Sequence, residues 1–296
     1  MKNYLLTILA AAIIIPVAAQ QPDESATAPK PTPSPWTLKG TASINASQMS
    51  LSNWAAGGDP TIAGDAALTY SADYKKGVSL WQNRLELAYG LNRTESNGMR
   101  KTNDKIFLSS SYGYKVAESL YVSALAKFNT QFADGFDYAT NPRTLTSGFM
   151  APAYISTGLG IIWTPKAWFS VNASPATWRG TIVDVASLRP IYGLEADQKM
   201  KNEFGGNVVL EAKGTILKEL TAYSRLNLFS NYLKEPQNVD VDWTLQLSLK
   251  INKWLSASLS MHAIYDDDIM IPQADGTSKP CLQLQEVAGI GLLVNF

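Results

Sequence analysis

Side chains alternate between apolar and polar along long segments of this chain. In residues 36–47, "WTLKGTASINAS", the even positions hold apolar or small residues and the odd positions hold only polar ones. Because successive side chains of a β-strand point to opposite faces, this pattern predicts a two-faced strand. Its length of about 12 residues exceeds the roughly 5–6 of globular sheets and suits the roughly 9–11 tilted residues that cross a bilayer.

The same alternation returns throughout the chain and predicts an all-β fold. In lipid every backbone polar group must be paired, so a spanning sheet has to close into a barrel. We therefore predict a transmembrane antiparallel β-barrel of twelve strands, with ten or fourteen as alternatives, since such barrels have even counts. A secreted soluble β-sandwich or barrel, the competing interpretation, would have shorter strands. The predicted strands span residues 36–47, 61–74, 80–92, 104–116, 120–132, 153–164, 168–174, 204–216, 220–233, 239–252, 255–265 and 284–296.

The connections between these strands are alternately short and long, apart from the link 234–238, which is of modest length. Short turns are predicted at 75–78, 117–119, 165–167, 217–219 and 252–253, and longer connections at 48–60, 93–103, 133–152, 175–203, 234–238 and 266–283. Outer-membrane barrels have short periplasmic turns and longer extracellular loops. An even strand count then places both termini on the periplasmic side.

Aromatic residues mark one level of the predicted barrel. Amphipathic rings prefer the membrane–water interface, so a row of them at strand ends next to the short turns indicates an interface girdle. The residues at this level are Trp36, Trp81, Trp163, Trp168, Trp254 and the terminal Phe296.

The N-terminal segment predicts export. Residues 1–19 combine a basic start at Lys2, an apolar run and small residues before Gln20, which is typical of a cleaved signal peptide. The apolar run is shorter than the roughly 20 residues of a membrane anchor. Residues 20–35 form a polar, Pro-rich leader and residues 36–296 form the barrel. We therefore predict a Gram-negative outer-membrane location.

Composition excludes several functional classes. The 25 basic and 25 acidic residues balance, which argues against nucleic acid as a partner. Cys281 is the single cysteine, so neither an internal disulfide nor a cysteine-built zinc site can form. No cofactor and no metal site are expected.

Charged residues of mixed sign fall on the face predicted to line the lumen. Barrels of about 8 strands fill with side chains, and those of 16–18 hold an aqueous channel. A barrel of twelve strands lies between these sizes, so a packed lumen and a weakly selective pore are equally compatible with the sequence. The candidate lumen residues are Lys39, Asp65, Asp73, Arg84, Glu86, Lys105, Lys115, Lys127, Glu211, Lys213, Arg225, Asp240, Asp242, Lys250 and His262.

Two loop segments carry candidate contact residues. In "SLSNWAAGGDP" (50–60) no helix follows the glycines, so a phosphate cradle is excluded and Gly57, Gly58 and Asp59 indicate a hairpin turn. Asn53 and Trp54 either pack the barrel mouth or contact a ligand. The same alternatives hold for "KFNTQFADGFDY" (127–138), with packing favoured; its candidate residues are Thr130, Gln131, Phe132, Gly135 and Tyr138.

Signals for an enzyme are weak. His262 is the only histidine, and it falls on the lumen side of its strand, whereas outer-membrane phospholipases place their histidine on the lipid side. It precedes the acidic run Asp266, Asp267 and Asp268, which keeps a hydrolase as a remote alternative. The acidic run lacks the spacing of an EF-hand and indicates a solvated extracellular loop.

Several motifs in order resemble an uncharacterised family of outer-membrane proteins from Bacteroidota with a domain of unknown function. They are "SQMSLSNWAAGGDP", "KFNTQFADGFDY", "SPATWRGTIV", "IYDDD" and "QEVAGIGLLVNF". The resemblance implies the compartment and the fold and no reaction.

We expect a non-enzymatic barrel that is either a small-solute channel or a structural and assembly-partner protein. Its expected partners are outer-membrane lipids, the outer-membrane assembly machinery through the C-terminal strand, and a small solute if the lumen is open. The alternative is a ligand-binding barrel that acts through loops 133–152, 175–203 and 266–283.

Overall fold

The computed structural model describes residues 34–50, 60–95, 98–138, 140–273 and 276–295. The predicted signal peptide, the leader up to residue 33, and the loop residues Asn53, Trp54, Gly57, Gly58 and Asp59 lie outside the described residues, as does Phe296. The predictions for these segments therefore stay predictions.

The described chain is almost entirely β-structure. It contains one 3-10 helix, Ala186–Tyr192. The strands are β1 (Trp36–Met49), β2 (Thr61–Lys76), β3 (Ser79–Thr94), β4 (Gly98–Ala117), β5 (Leu120–Thr130), β6 (Gly135–Asp137), β7 (Thr144–Ser147), β8 (Ala153–Lys166), β9 (Phe169–Ile182), β10 (Met200–Leu217), β11 (Leu220–Asn231), β12 (Asp240–Lys250), β13 (Leu255–Tyr265), β14 (Ile271–Pro272), β15 (Ser278–Lys279) and β16 (Gln283–Asn295).

Twelve of these strands form one closed antiparallel barrel in the order β1-β16-β13-β12-β11-β10-β9-β8-β5-β4-β3-β2. Strands that follow one another in the wall are neighbours in the sheet, and pairing of β1 with β16 closes the ring. This confirms the predicted twelve-strand barrel. The remaining four strands form two small hairpins, β6–β7 and β14–β15, within connections. Within the described residues no helix is both long and apolar enough to span a membrane.

The outside of the barrel is apolar along its strands. Large side chains such as Ile44, Leu159 and Ile290 are more than 60 % exposed on this face. Soluble monomers rarely expose an apolar surface that continues around the whole molecule. A closed sheet with its apolar rows turned outward is the architecture of a transmembrane barrel.

The two ends of the barrel differ. At one end, called the turn end, short turns at 77–78, 118–119, 167–168, 218–219 and 251–254 join the strands, and Trp36 begins β1. The other end, called the loop end, carries the longer connections 131–152, 183–199, 232–239 and 266–282. The predicted connection 93–103 was too long, because β3 and β4 continue to Thr94 and from Gly98. That the turn end faces the periplasm stays a prediction.

The seventh barrel strand is longer than predicted. Pro175 predicts an end of this strand at residue 174, but β9 runs from Phe169 to Ile182. The pairing register of β9 shifts at this proline against both of its neighbours, so Pro175 lies in a bulge where no ladder hydrogen bond is required of it. The predicted loop 175–203 is therefore wrong, and the connection spans only 183–199.

Glycine is required opposite this bulge. A methyl group on Gly160 of β8 would collide with the carbonyl oxygen of Ala173 and come within 2.6 Å of the Ser174 Cα atom. Both obstacles are backbone, so a side chain could be accommodated only by moving β9 away from β8.

We expect Gly160→Ala to destabilise the barrel by about 1–3 kcal/mol, the usual cost of overpacking. Unfolding of detergent-folded protein in guanidinium, followed by tryptophan fluorescence, measures the change. Gly64→Ala is the matched control, because its nearest obstacle, the Asn45 carbonyl oxygen, is 3.5 Å away. Equal stability of the two variants would contradict the bulge geometry.

Candidate functional site

The lumen is the candidate site, because the charged residues of the wall converge there. Strand register places the predicted lining residues on the inward face of the wall. The residues whose side chains contact each other across the barrel lie on this same face. Lys39, Lys213 and Lys250 are exposed near the turn end, while Arg84, Glu86, Lys105, Lys127 and Asp242 lie among inward contacts.

Opposite walls of the barrel touch in the middle of the lumen. Arg84 on β3 and Tyr223 on β11 belong to strands that are six places apart in the ring of twelve, which is the greatest possible separation. The Arg84 Cζ atom nevertheless lies 4.4 Å from the centroid of the Tyr223 ring, within the range of a cation–π contact. Two side chains therefore span the full diameter of the lumen.

A second contact crosses beside the first. The Arg225 Cζ atom on β11 lies 4.6 Å from the centroid of the Phe107 ring on β4, and the Lys105 Nζ atom lies 5.3 Å from the same ring. Phe107 is only 6 % exposed although it points into the barrel. An apolar ring thus fills the space between the cationic side chains.

Carboxylates neutralise these cations. Glu86 accepts hydrogen bonds from Arg84 Nε at 2.5 Å and from Lys105 Nζ at 2.6 Å. Glu211 accepts a hydrogen bond from the Tyr223 hydroxyl at 2.8 Å and lies 3.5 Å from Arg225 Nε. The central cluster is defined here as Arg84, Glu86, Lys105, Phe107, Glu211, Tyr223 and Arg225.

Amide side chains form another bridge across the lumen. Lys127 Nζ on β5 donates to Asn207 Oδ1 on β10 and to Asn227 Oδ1 on β11, both at 2.8 Å. Asn207 Nδ2 in turn donates to the Leu228 carbonyl oxygen at 2.8 Å. Because β5 is separated from β10 by two strands, the bridge again joins distant parts of the wall.

An apolar cluster narrows the lumen on the inward face of β3, β5 and β8. Leu80, Tyr121 and Ile162 are buried against one another there, near the turn end. Gly113 on β4 leaves the space that the Tyr121 ring occupies, since a Cβ atom at this position would lie 3.0 Å from Tyr121 Cβ. The alternation pattern did not predict apolar residues on the lumen face.

An ionic network lies towards the loop end. Arg179 donates to both carboxylate oxygens of Glu203, at 2.7 and 2.8 Å, and lies 2.5 Å from Asp240. Lys201 pairs with Glu203 and with Asp268, and Lys234 reaches Asp268 at 2.9 Å. These ion pairs therefore connect the starts of β10 and β12 with the connection 266–282.

The predicted mouth residues at the end of β5 and in the connection 131–152 form packing contacts with that connection and with β3 and β4. Thr130 donates to the Pro152 carbonyl oxygen at 3.0 Å, and Gln131 donates to the Ala151 carbonyl oxygen at 3.2 Å. Phe132 packs edge-on to Tyr89, and a Cβ atom on Gly135 would collide with Ser147.

Tyr138 is held in the same loop. Its ring lies between the guanidinium groups of Arg100 and Arg143, whose Cζ atoms are 4.9 and 5.0 Å from the ring centroid. Its hydroxyl accepts a hydrogen bond from the Lys101 backbone at 3.1 Å. The contacts of all five residues favour the packing interpretation over ligand binding.

The connections 131–152 and 183–199 pack against each other. Ala151, Val183, Leu188 and Leu194 form a buried apolar cluster, and Tyr192 donates to the Thr146 carbonyl oxygen at 2.9 Å. The buried Arg189 donates to the carbonyl oxygens of Val183 and Ala196. This part of the loop end is a folded surface with its own core.

The predicted tryptophan girdle lies at the turn end. Trp36, Trp81, Trp163, Trp168 and Trp254 are each at least 38 % exposed. Trp36 packs against the rings of Tyr74 and Trp81, with centroids 5.2 and 5.7 Å apart. The arrangement is that of rings placed at an interface.

His262 and the acidic residues near it have structural partners. His262 Nε2 lies 2.9 Å from Asp242 Oδ1 on the neighbouring strand. Carboxylate oxygens of Asp240, Asp266 and Asp267 lie within 4.8 Å of one another, a spacing that fits a cation. Arg179 already neutralises Asp240, so the geometry assigns no metal to this group.

Sequence reasoning missed some lumen residues for two reasons. Arg179 and Lys201 lie in the segment for which Pro175 predicts a loop. Phe107 and Tyr223 are uncharged and therefore do not belong to the charged set that predicts the lumen lining. Phe107 lies between Lys105 and Ser109 in the alternation, so strict counting by two would have placed it inward.

Comparison with known proteins finds one family that matches part of the chain. A family described as a protein of unknown function (DUF3078) matches residues 46–136. This agrees with the resemblance to a family of unknown function, while the origin in Bacteroidota stays a prediction. No curated protein matches the chain.

Solved structures of similar fold are outer-membrane barrels. The translocator domain of the autotransporter NalP from Neisseria meningitidis is 8 % identical with a TM-score of 0.38, over 88 % of this chain and 87 % of that one. An outer membrane channel from Pseudomonas putida F1 is 6 % identical with a TM-score of 0.39, over 92 % and 100 %. The P. putida toluene transporter TodX is 8 % identical with a TM-score of 0.30, over 88 % and 90 %. At these values the likeness concerns the fold alone.

The loop-end network predicts a dependence of stability on pH. Burial acts to raise the pKa of Asp268, but hydrogen bonds from Lys201 and Lys234 outweigh it and hold this pKa below its usual range. A carboxylate with a lowered pKa stabilises the folded protein above the unfolded-state pKa of about 4, and this stabilisation is lost as the pH falls further.

We expect Asp268→Asn to reduce stability by about 1–3 kcal/mol at neutral pH, the range for hydrogen bonds to charged groups. The difference from the unchanged protein should shrink as the pH falls below about 4. Guanidinium unfolding at a series of pH values measures it. Asp197→Asn, an exposed acid in the connection 183–199, is the control and should show no such trend. A constant difference at all pH values would refute the role of Asp268.

Proposed function

We propose that the protein is a non-enzymatic outer-membrane β-barrel whose lumen is closed by its own side chains, and that it acts as a structural or partner-binding protein. The observation that carries this proposal is the contact of Arg84 with Tyr223 between opposite walls. Of the two alternatives that twelve strands leave open, this contact favours the packed lumen over the solute channel.

The closure is supported at more than one level of the barrel. The central cluster spans the diameter, Lys127 bridges to Asn207 and Asn227, and the apolar cluster of Leu80, Tyr121 and Ile162 lies nearer the turn end. A solute would have to displace partly buried ion pairs to pass, and Glu86 is their most buried member. Leaving the buried Glu86 carboxylate without its partners is unfavourable, so the closed state is expected to persist without a ligand.

Several features support the outer membrane as the location. The exterior is apolar, tryptophans lie at the turn end, and residues 1–19 have the pattern of a signal peptide. Lipids would cover the exterior, and the alternating C-terminal strand would be the segment presented to the assembly machinery. With the lumen filled, the folded loop end is a surface that would be available to a partner in the extracellular medium.

The contacts of His262 support a structural role and not catalysis. The His262 side chain pairs with Asp242 and so joins the adjacent strands β13 and β12 on the lumen side. Both residues belong to the inward polar rows of these strands. A hydrolase would need a nucleophile placed within hydrogen-bond reach of the histidine and accessible to substrate.

We expect the unchanged protein to show no steady current in planar bilayers, because side chains occupy the lumen. The variant Arg84→Ser, Phe107→Ser, Tyr223→Ser removes three of the long side chains of the central cluster, including both partners of the contact between opposite walls, and should raise the conductance. Heat-modifiable migration on detergent gels confirms that each protein is folded.

The control variant is Arg93→Ser, Tyr89→Ser, Phe128→Ser. It removes the same three residue types from outward positions on β3 and β5 and should leave the current unchanged. A steady current in the unchanged protein equal to that of the lumen variant would overturn the proposal and favour an open channel.

A further inference from the structure

The barrel closes through a seam that is shorter than its other strand pairings. Among the described residues, β1 pairs with β16 from Thr41 to Asn45, opposite Asn295 to Gly291. On its other side β1 pairs with β2 along its whole length, and β16 pairs with β13 from Gln283 to Leu292. Both strands are therefore long enough for a longer ladder, and the short pairing is a feature of the seam between them.

Towards the loop end each strand of the seam has a neighbour on one side only. Within the described residues, no pairing joins Ala46–Met49 of β1 to β16, or Gln283–Ile290 of β16 to β1. Alternate residues of such a segment direct their N–H and C=O groups at the open side. Near lipid these groups have no water to bond, so an unpaired edge is strongly unfavourable.

The strands separate at a defined position. The Asn45 side chain donates from Nδ2 to Asp65 Oδ2 at 2.9 Å, which holds it on the inward face. It lies against two glycines of β16; a Cβ atom on Gly289 would be 3.6 Å from Asn45 Cγ, and one on Gly291 would collide with Asn45 Oδ1. Asn45 thus occupies the seam where the pairing ends.

Part of β16 extends past the last residue of β1. Continuing the register of Asn45 with Gly291 would place Met49 opposite Val287. β1 ends at Met49, and among the described residues Gln283–Glu286 pairs with β13 alone. The segment Gln283–Ile290 is called the free edge below.

The free edge has two chemically different faces. Its outward row is Leu284, Glu286, Ala288 and Ile290, and its inward row contains the polar Gln285, whose Nε2 donates to the Thr102 carbonyl oxygen on β4 at 3.1 Å. Glu286 is the only charge in the outward row. In the described part of the chain it faces Met261 across the β13 pairing and forms no salt bridge.

We propose that the free edge is a docking site for an extended strand of a partner polypeptide that carries a basic side chain opposite Glu286. Main-chain hydrogen bonds to the open N–H and C=O groups would supply the affinity, as in other cases of strand addition. The incoming strand turns apolar side chains to the lipid and polar ones to the mouth, because the rows of β16 do so. The cation pairs with Glu286 across the new strand pair.

A lipid acyl chain fits this edge less well than a strand. An acyl chain covers the outward apolar row but offers no donor or acceptor to the backbone groups. It also leaves Glu286 without a counter-charge. A strand with one lysine or arginine satisfies both requirements.

The first experiment tests whether the seam is open in the folded, full-length protein. In a Cys281→Ser background, Ile44→Cys with Leu292→Cys joins a pair that the structure shows in register. Ala46→Cys with Ile290→Cys would be the next outward pair of the same class. On oxidation we expect the first pair to form a disulfide, seen as faster migration on non-reducing gels, and the second to form little. Equal disulfide formation would show a closed seam and overturn the proposal.

The second experiment tests the occupant. The probe is a fluorescent synthetic peptide in which valine alternates with threonine and a lysine replaces the central valine. Binding to the detergent-folded barrel is followed by fluorescence anisotropy. We expect saturable binding, weakened about tenfold by Glu286→Lys through the lost attraction and the new repulsion. Asp197→Lys, an equal charge change in the connection 183–199, is the control and should bind as the unchanged protein does.

A peptide with a modified backbone distinguishes binding by strand pairing from binding through apolar or charged side chains alone. The same peptide with alternate amide nitrogens methylated keeps its side chains and cannot form the ladder, so its binding should be lost. Equal binding of the methylated peptide, or no binding of either peptide to a barrel with an open seam, would overturn strand addition. These outcomes do not depend on whether the lumen conducts, so failure here would leave the proposed function standing.

Discussion

Pairing of the backbone polar groups in a medium without water is the constraint on which this structure depends. It requires the sheet to close, which the twelve strands achieve with a single ring of antiparallel neighbours. Closure in turn fixes which side chains face inward, because the faces of every strand alternate. Apolar rows cover the outside, and the polar rows meet inside a space too narrow to keep them apart.

The lumen follows from this confinement. Charged side chains in the middle of the barrel are partly removed from water, so they pair with one another and with aromatic rings. Arg84 and Arg225 each have both a carboxylate and a ring as partners. The result is a wall whose opposite sides are held together by side chains, without a separate plug segment among the described residues.

Alternation by two was sufficient to predict the barrel, its strand count and the short turns, since period and length are local properties of the sequence. It was insufficient at Pro175, where tertiary pairing converts a predicted strand end into a bulge, and so the partners Arg179 and Glu203 were missed. It could not decide between a pore and a packed lumen, because that depends on distances between residues such as Arg84 and Tyr223 that are far apart in the chain. The seam between β1 and β16 was equally invisible, since the alternation of both strands continues past the point where they separate.

The contact between Arg84 and Tyr223 also has a consequence for the order of assembly. Its two residues come from the first and the second half of the chain, on strands that are joined in the wall by five intervening strands. Before these strands have paired, Arg84 has Glu86 beside it on its own strand but no ring to stack on. This contact can therefore form only after the intervening strands have joined the sheet, and until then the polar face around Arg84 is open to solvent.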